Sequence, residues 1–408
     1  MPEALWVIAD DLTGACDIGA ELLPLGAPVV VRDVARRVSE SAACLSVCNT
    51  ASRGCDVPDA VARVREALHG LPPGWRGIVV KKIDTALRGA IGAELAATMA
   101  QVGAPEAFVL PAIPAVGRTT VGGIQRLSGV PLADTPFARD PLHPITQSSV
   151  LAVLEREALL EARLLPLETV RAARWGEHWD EATRPRAVVC DAETDEDVEA
   201  ALGVILQRPR PLVLAGSIGL GRALARRLGG RGTYTPPEPS GWTPAGPAGV
   251  LAAVGSIHPA SRAQLRAAER EIGLDLVEVR EADGVEAAAV RAARSIERGA
   301  AAGLVTPTAR LRVPHALCDH LAEAVAACLR MVAPAGLVLV GGEAAQAVLA
   351  RLDHPLLRVE ARPAPLVVRG RLLDGPRPAL PIVTKGGSAG DAEMVIRMIR
   401  CFDGEGWR

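Results

Sequence analysis

The feature that most restricts the fold is an alternation of short apolar runs, bounded by Gly, Asp or Pro, with longer segments of helical periodicity. This order is typical of parallel strands that crossover helices bury on both faces. Leu, Val and Ala must supply the packing, because 49% of the residues are apolar but only 2% are aromatic. Predicted strands cover 5–9, 29–31, 77–81, 107–110, 187–190, 211–215, 250–254, 274–279, 303–306 and 336–340. Predicted helices cover 17–25, 58–68, 92–101, 195–206, 219–228, 259–271, 284–298, 313–331 and 391–401.

The length of 408 residues exceeds what one hydrophobic core normally supports, which predicts two domains. Residues 233–249, TYTPPEPSGWTPAGPAG, are rich in Pro and Gly and have no periodicity. We therefore place one domain at 1–235, a linker at 236–249 and a second domain at 250–408. Both are expected to be α/β domains with mostly parallel sheets, whose ligands bind beyond the carboxyl ends of the strands.

Composition argues against several functional classes. Lys and Arg total 45 against 47 Asp and Glu, so no global field attracts nucleic acid. The eight cysteines never form a CxxC pair, which argues against zinc and a disulfide framework and favours a reducing cytoplasm. The N-terminal apolar run has no basic region before it, and no apolar stretch is long enough to cross a membrane. We expect a soluble cytoplasmic protein without a membrane partner.

The first candidate site is ADDLTGACD, which directly follows the first predicted strand. Asp10 and Asp11 at a strand's carboxyl end, followed by Thr13 and Gly14, are able to bind hydroxyls or orient a metal and a nucleophile. Alternatively, Asp11 only caps a helix and Asp10 is solvated. Adjacent side chains of an extended segment point in opposite directions, so at most one of the pair is expected to face a given ligand.

Two further strand ends carry charged residues. KKIDTALRG offers Lys82, Asp84 and Arg88, which are two cations and a carboxylate, as recognition of a hydroxylated carboxylate requires. PAIPAVGRTT places Arg118 in a Gly-Arg turn, where it is able to clamp an anion. A solvated strand end and a rigid surface turn are the structural alternatives, and the spacing does not decide between them.

Three glycine turns in the second half are able to hold phosphate through backbone N–H groups. They are AVGSIHP with Ser256, LVGGEAAQAV with Gly341 and Gly342 before Glu343, and TKGGSAGD with Lys385 and three glycines. One glycine turn is weak evidence, because α/β folds use glycine for strand–helix packing, but three in one domain favour a nucleotide cleft. None matches the GxxxxGK[ST] or GxGxxG pattern.

Taken together, these segments resemble the four-carbon acid sugar kinase family, and the resemblance spans nearly the whole chain. The segments occur in family order: IADDLTGACD, NTASR, KKIDTALRG, PAIPAVGRTT, GVPLADTPFARDPLHPIT, DAETDED, AGSIGL, VGSIHP, GGEAA and VTKGGSAGD. The resemblance implies an N-terminal sugar-acid domain and a C-terminal nucleotide domain. It also implies ATP-dependent phosphorylation of the terminal hydroxyl of D-threonate, D-erythronate or 3-oxo-tetronate.

The resemblance assigns residues to two sites. The sugar-acid pocket is implied at Asp10, Asp11, Arg53, Lys82, Asp84, Arg88 and Arg118. The ATP site is implied at Ser256, Gly341, Gly342, Glu343, Ala344, Gly386, Gly387 and Gly390. The FARDP segment resembles the threonate and erythronate branch more than the oxo-tetronate branch. Departures from the family pattern are Ala344 and Ala345 after the GG-acid turn, Ala389 before the last glycine of its loop, and Cys16.

The implied mechanism is phosphoryl transfer with Mg²⁺ bridging the triphosphate oxygens. Arg88 and Arg118 are expected to pair with the substrate carboxylate, while Asp10 or Asp11, and next Asp84, orients or deprotonates the hydroxyl. Turnover is expected to require closure of the two domains. The alternatives are a kinase of another small sugar acid and a binding regulator without catalysis. A homodimer is the default expectation for the oligomeric state.

Overall fold

A computed structural model describes residues 4–36, 44–139, 144–157, 160–173, 175, 184–229, 249–280, 284–307, 314–403 and 407. The chain divides into two compact units, one of residues 1–29 and 37–234, the other of residues 30–36 and 235–408. The expected linker at 236–249 lies, apart from Gly249, outside the described residues. No helix in the described ranges is both long and apolar enough to cross a membrane.

The first unit contains a parallel sheet and, beside it, a small antiparallel one. The parallel order is β3-β1-β4-β11-β5-β10-β9, formed by β1 (Leu5–Ala9), β3 (Leu45–Asn49), β4 (Ile78–Lys82), β5 (Glu106–Leu110), β9 (Glu161–Leu165), β10 (Arg186–Cys190) and β11 (Leu212–Gly216). The antiparallel strands are β6 (Arg118–Val121), β7 (Ile124–Leu127) and β8 (Val130–Pro131). The helices are α1 (Leu12–Leu22), α2 (Val57–Leu68), α3 (Ile91–Val102), α4 (Val150–Glu157), α5 (Leu167–Ala172), α6 (Asp195–Ile205) and α7 (Ile218–Leu228).

The second unit is also an α/β sheet, with the order β13-β14-β12-β15-β18-β17-β16-β2. Its strands are β2 (Val29–Asp33), β12 (Leu251–Val254), β13 (Asp275–Glu278), β14 (Ala302–Val305), β15 (Leu337–Val340), β16 (Leu357–Ala364), β17 (Val367–Leu372) and β18 (Pro381–Lys385). Strands β12 to β15 and β18 run parallel, whereas β16 and β17 are antiparallel. The helices are α8 (Pro259–Ile272), α9 (Val285–Glu297), α10 (Pro314–Met331), α11 (Gly342–Arg351) and α12 (Met394–Arg400).

The predicted fold class of two α/β domains with mostly parallel sheets is confirmed. The predicted start of the first helix at residue 17 is wrong, because α1 begins at Leu12 with Asp11 as its N-cap. Strands β3, β6 to β9 and β16 to β18 were not predicted. Several of them alternate apolar and charged residues, such as the edge strand β9 (EARLL), and so lack a continuous apolar run.

A buried ion pair links β4 to α3 in the first unit. Lys81 Nζ lies 2.5 Å from Glu94 Oε2, and the two side chains are 0% and 2% exposed. Replacing Glu94 by Ala is expected to lower the free energy of unfolding by about 3–5 kcal/mol, because it leaves the Lys81 charge buried without a partner. Urea denaturation measures this loss. The double variant Lys81→Met/Glu94→Leu should recover most of it, and a loss below about 1 kcal/mol in the single variant would contradict the assignment.

Candidate functional site

Three chain segments of the first unit leave the parallel sheet at one edge. Ala9 at the end of β1 is in register with Lys82 at the end of β4 and with Asn49 at the end of β3. Because carboxyl ends of parallel strands meet at the same edge, the residues that follow them are brought together. These residues include Asp10 and Asp11. We call the assembled set the aspartate–arginine cluster: Asp10, Asp11, Arg53, Lys82, Asp84, Arg88 and Arg118.

Arg53 joins the two adjacent aspartates. Its Nε and Nη2 donate to the two oxygens of Asp10 at 2.8 and 2.9 Å, and Nη2 also donates to Asp11 Oδ1 at 2.6 Å. Asp11 accepts in addition from the Gly14 N–H and the Thr13 hydroxyl. The alternative of a solvated Asp10 is wrong, because that residue is 3% exposed. Asp11 does cap the helix, and it belongs to the cluster as well.

The backbone brings Arg53 to this position. The N–H groups of Ser52 and Arg53 donate to the carbonyl of Asp10, so the loop after β3 folds over the end of β1. Ala51 takes a positive φ of 49° in this turn. Only the family resemblance, through NTASR, indicated Arg53. The residue types and spacing gave no independent signal, because β3 itself was not predicted.

Asp84 differs from the other two aspartates in its contacts. Its Oδ2 accepts from Arg88 Nε at 2.5 Å, while its Oδ1 has no hydrogen-bond partner in the part of the chain that the structure describes. Burial alone would raise the pKa of Asp84, but the charges of Arg88, Arg53 and Arg118 hold it well below its usual range. Asp84 is therefore an ionised carboxylate with one oxygen available to accept a hydrogen bond.

The electrostatics of Asp10 resemble those of Asp84, but both Asp10 oxygens are occupied by Arg53. Burial raises the pKa of Asp10, and the charges of Arg53, Lys81 and Lys82 together lower it further than burial raises it. Both aspartates are thus ionised at neutral pH. They differ in their free acceptors: Arg53 donates to both oxygens of Asp10, whereas Oδ1 of Asp84 receives no hydrogen bond from the described residues.

Lys82 and Arg118 are the cations of the cluster that have no carboxylate within salt-bridge distance among the residues described here. Lys82 Nζ donates to the carbonyl of Ile83 at 2.8 Å. Arg118 Nη1 donates to the Thr85 hydroxyl at 2.6 Å, and the guanidinium lies 5.0 Å from the centre of the Phe137 ring. Burial lowers the pKa of Arg118, with Asp84 opposing that shift. An anion that reaches either cation would gain a charge-assisted hydrogen bond.

The cluster as a whole contains three carboxylates and four cations. Two cations, Arg53 and Arg88, are paired with those carboxylates. The arrangement therefore leaves one net positive charge, two cations without counterions and one free carboxylate oxygen. Such a set is suited to a small ligand that carries both a carboxylate and a hydroxyl.

The hairpin β6–β7, which carries Arg118, is held by residues whose role the sequence did not reveal. Asp191 accepts from the N–H groups of Gly122 and Gly123 at 2.8 and 2.9 Å. Gln125 accepts from the Thr120 hydroxyl and donates to the carbonyl of Thr85. Asp191 therefore positions the turn of the hairpin. The motif DAETDED contained the residue but gave no indication of this contact.

In the second unit, the three predicted glycine turns follow neighbouring strands. Strand β15 lies between β12 and β18, and the N–H of Gly341 donates to the carbonyl of Lys385. A Cβ on Gly341 would lie 3.3 Å from Ser256 N, and one on Gly387 would collide with Ser256 Oγ. The fold thus brings Ser256, Gly341 and Gly387 together at one edge of this sheet.

The remaining predicted residues of this edge differ in exposure. Gly342 and Glu343 form the first turn of α11, and Glu343 is exposed. Ala344 is buried against Gly255, where an added Cβ would collide with it, so its side chain faces the fold. Gly386 has open space on its Cβ side, and Gly390 takes a φ of +82°.

Side chains bind the carbonyl oxygens of the loop 386–391 from within the fold. Lys385 Nζ donates to two of them, Ser261 Oγ to one and Gln264 Nε2 to three. Ser261 and Gln264 both belong to α8. Sequence reasoning missed them, because the contacts join residues more than 120 positions apart. The carbonyls that accept are those of Gly386, Gly387, Ala389, Gly390 and Asp391.

The direction of these carbonyls fixes the direction of the loop's N–H groups. In a trans peptide, the N–H points opposite to the carbonyl of the same unit. The N–H groups of Gly387, Ser388, Gly390 and Asp391 therefore point away from the fold, and they have no acceptor among the residues described. Successive N–H groups of this kind form an anion-binding concavity.

Burial lowers the pKa of Lys385, behind the loop, to about 8.

The described residues contain no metal-binding group, and they include only part of the FARDP segment. Across the described ranges, no three His, Cys, Asp or Glu side chains form a group that could hold a metal ion. In FARDPLHP, Arg139 lies in a short 3-10 helix, whereas residues 140–143 lie outside the described residues.

Comparison with known proteins covers both units. Residues 5–224 match the model of a sugar-binding N-terminal domain, and residues 251–395 match that of a nucleotide-binding C-terminal domain.

Three curated relatives align with most of the chain. A D-threonate kinase of Bordetella bronchiseptica is 32% identical, over 96% of this chain and 95% of its own length. A D-erythronate kinase of Heliobacterium modesticaldum is 28% identical, over 95% and 94%. A 3-oxo-tetronate kinase of Methylobacterium radiotolerans is 30% identical, over 90% and 95%. The three names differ in the acid that is phosphorylated.

Proposed function

The chain belongs to the four-carbon acid sugar kinase family, and on this premise we propose that it phosphorylates the terminal (4-) hydroxyl of D-threonate or D-erythronate with ATP. The three relatives align with this chain over nearly their whole length, and each is named as the kinase of a four-carbon acid. The choice of D-threonate or D-erythronate over a 3-oxo-tetronate rests on the FARDP segment, which resembles the threonate and erythronate branch. A 3-oxo-tetronate is the alternative substrate.

The observation that carries the proposal is the pairing pattern of the aspartate–arginine cluster. Arg118 and Lys82 lack a carboxylate partner among the described residues, and we assign the carboxylate of the sugar acid to them. Arg88 is paired with Asp84 through Nε, and we assign to it the orientation of that aspartate ahead of the substrate carboxylate. Arg53 plays the same part for Asp10 and Asp11.

The group that orients the attacking hydroxyl is assigned to Asp84. Phosphoryl transfer with a loose transition state requires positioning more than a strong base. Asp84 Oδ1 is able to accept the hydrogen of the terminal hydroxyl, whereas the oxygens of Asp10 and Asp11 are already occupied. The sequence placed Asp10 and Asp11 ahead of Asp84 for this role, and the contacts favour the reverse order.

The nucleotide is assigned to the glycine turns of the second unit. Outward N–H groups of the loop 386–391 are suited to phosphate oxygens, and the turns at Ser256 and Gly341 face the same edge. We assign the ATP site to Ser256, Gly341, Gly342, Glu343, Ala344, Gly386, Gly387 and Gly390, with Ala344 contributing packing or backbone.

The residues at this edge also fit Mg²⁺ that arrives with ATP. In kinase sites this ion is held mainly by phosphate oxygens and one or two carboxylates. Glu343 is an exposed carboxylate of this edge and would complete the coordination. When bound, the ion neutralises charge on the phosphate oxygens.

A coupled assay of ADP release over four- and five-carbon sugar acids tests the proposal. We expect turnover with D-threonate or D-erythronate and much lower turnover with five-carbon acids. Thermal stabilisation by a sugar acid without ADP release would indicate a binding protein. Preferred turnover of a 3-oxo acid would move the chain to the alternative substrate.

Affinity for ATP is expected to fall as the pH rises through about 8. Lys385 loses its proton over that range, and its charge lies behind the loop that is assigned to the phosphates. Two unit charges at close range interact by about 1 kcal/mol in water and by more inside a protein, so loss of this charge should raise the Kd for ATP at least about fivefold. Calorimetric titration between pH 7 and 9 measures this. The Lys385→Met variant should bind weakly at every pH, and a constant Kd in the unaltered protein would contradict the prediction.

A further inference from the structure

Arg262 lies beside the proposed phosphate site but belongs to none of its motifs. It is in the first turns of α8, which follows the Ser256 turn. Its Nη2 donates to the Thr306 hydroxyl at 2.9 Å, and that hydroxyl donates to the carbonyl of Gly255 at 3.1 Å. Because β12 and β14 are neighbours, this chain of contacts fixes the guanidinium at the carboxyl ends of both strands.

The charge of Arg262 has no counterion among the described residues. Glu278 acts on it only from beyond salt-bridge distance, and burial lowers the pKa of the guanidinium. The buried Nε has no hydrogen-bond partner. Nη1 also lacks a partner, but it is not enclosed by the protein. A half-buried cation is costly unless a charge partner is supplied, and here the fold does not supply one.

We propose that Arg262 binds a phosphate group of the nucleotide through Nη1. This inference rests on the proposed function, because it takes ATP to be the ligand of the second unit. The glycine turns provide N–H dipoles, and the charge of Lys385 lies behind them, bonded to loop carbonyls, whereas a triphosphate carries several negative charges. Arg262 supplies a fixed cation, and Thr306 holds the guanidinium by one amino group and leaves the other accessible. The adenine and ribose are not assigned to it.

The test compares Arg262→Ala with Arg266→Ala, an exposed arginine one turn farther along the same helix. Calorimetry on the full chain measures ATP, inorganic tripolyphosphate and adenosine separately. In Arg262→Ala, affinity for ATP and tripolyphosphate should fall about tenfold to a hundredfold, as expected for a lost charged hydrogen bond, while affinity for adenosine is unchanged. Arg266→Ala should change none of the three.

Arg262→Gln separates ligand binding from structural support. Glutamine keeps a donor for Thr306 but removes the charge, so it should retain the melting temperature and still lose affinity for tripolyphosphate. An unchanged affinity for tripolyphosphate, or an equal loss for adenosine, overturns the assignment of Arg262. If the unaltered protein binds neither ATP nor tripolyphosphate, the proposed function fails together with it.

Discussion

The Arg118→Ala variant is expected to have a kcat/KM for the sugar acid at least about a hundredfold below that of the unaltered protein. Arg118 has no counterion in the described structure and is held by Thr85 and Phe137, so the substrate carboxylate is its proposed partner. A hydrogen-bonded charge pair of this kind contributes roughly 2–5 kcal/mol when one partner is truncated. Steady-state kinetics with the sugar acid varied at saturating ATP measures the effect.

The matched control for Arg118 lies on the same hairpin. Arg126, on β7, donates to the carbonyl of Gly129 at an exposed position and to no other acceptor among the described residues, so Arg126→Ala should have near-normal kinetics. Arg118→Lys should recover part of the activity, because it retains the positive charge but loses the planar guanidinium that binds a carboxylate through two N–H groups. Near-normal kinetics in Arg118→Ala would remove this residue from the carboxylate site.

The Asp84→Asn variant is expected to lose about a hundredfold to a thousandfold in kcat while the protein stays folded. The amide keeps the shape of the side chain but removes the carboxylate that is proposed to orient the hydroxyl. Arg88 and Arg53 also lose a counter-charge, so a smaller rise in KM should accompany the loss. Single-turnover kinetics separates the chemical step from substrate binding.

Two comparisons distinguish Asp84 from a merely structural aspartate. Asp195, which pairs with Arg222 on α7, offers the control Asp195→Asn, and this variant should keep its kcat. The low pKa of Asp84 predicts that kcat in the unaltered protein shows no loss between pH 7 and 5 from protonation of this group. A kcat of Asp84→Asn within about threefold of normal would exclude Asp84 from the orienting role.

The parts of the site that follow directly from strand ends were predictable from the sequence. Apolar runs locate β1 and β4, and a parallel sheet brings the residues after them to one edge. The alternation of side chains also accounts for the two lysines of β4, because Lys81 pairs with Glu94 while Lys82 belongs to the cluster. These inferences need only local pattern and the rule that ligands bind at carboxyl ends.

Other parts depend on contacts between distant residues, which no local pattern encodes. Asp191 holds a turn about 70 positions away, and Gln264 holds a loop more than 120 positions away. Strand β2 follows β1 and α1 of the first unit in sequence, yet residues 30–36 join the second unit. Nothing in the sequence VVVRD of β2 indicates that this strand joins the second unit. The pairing that distinguishes Asp84 from Asp10 likewise appears only when the loop of Arg53 is placed.

The most direct test of the central claim is to identify the reaction product by ³¹P NMR after incubation with ATP, Mg²⁺ and D-threonate or D-erythronate. We predict one phosphomonoester for each ADP formed, with a phosphorus signal that couples to the two protons of a terminal CH₂ group. ATP that stays intact with both acids and with 3-oxo-tetronate, or ADP formed without any phosphomonoester, would contradict the claim that the chain transfers phosphate to a four-carbon sugar acid.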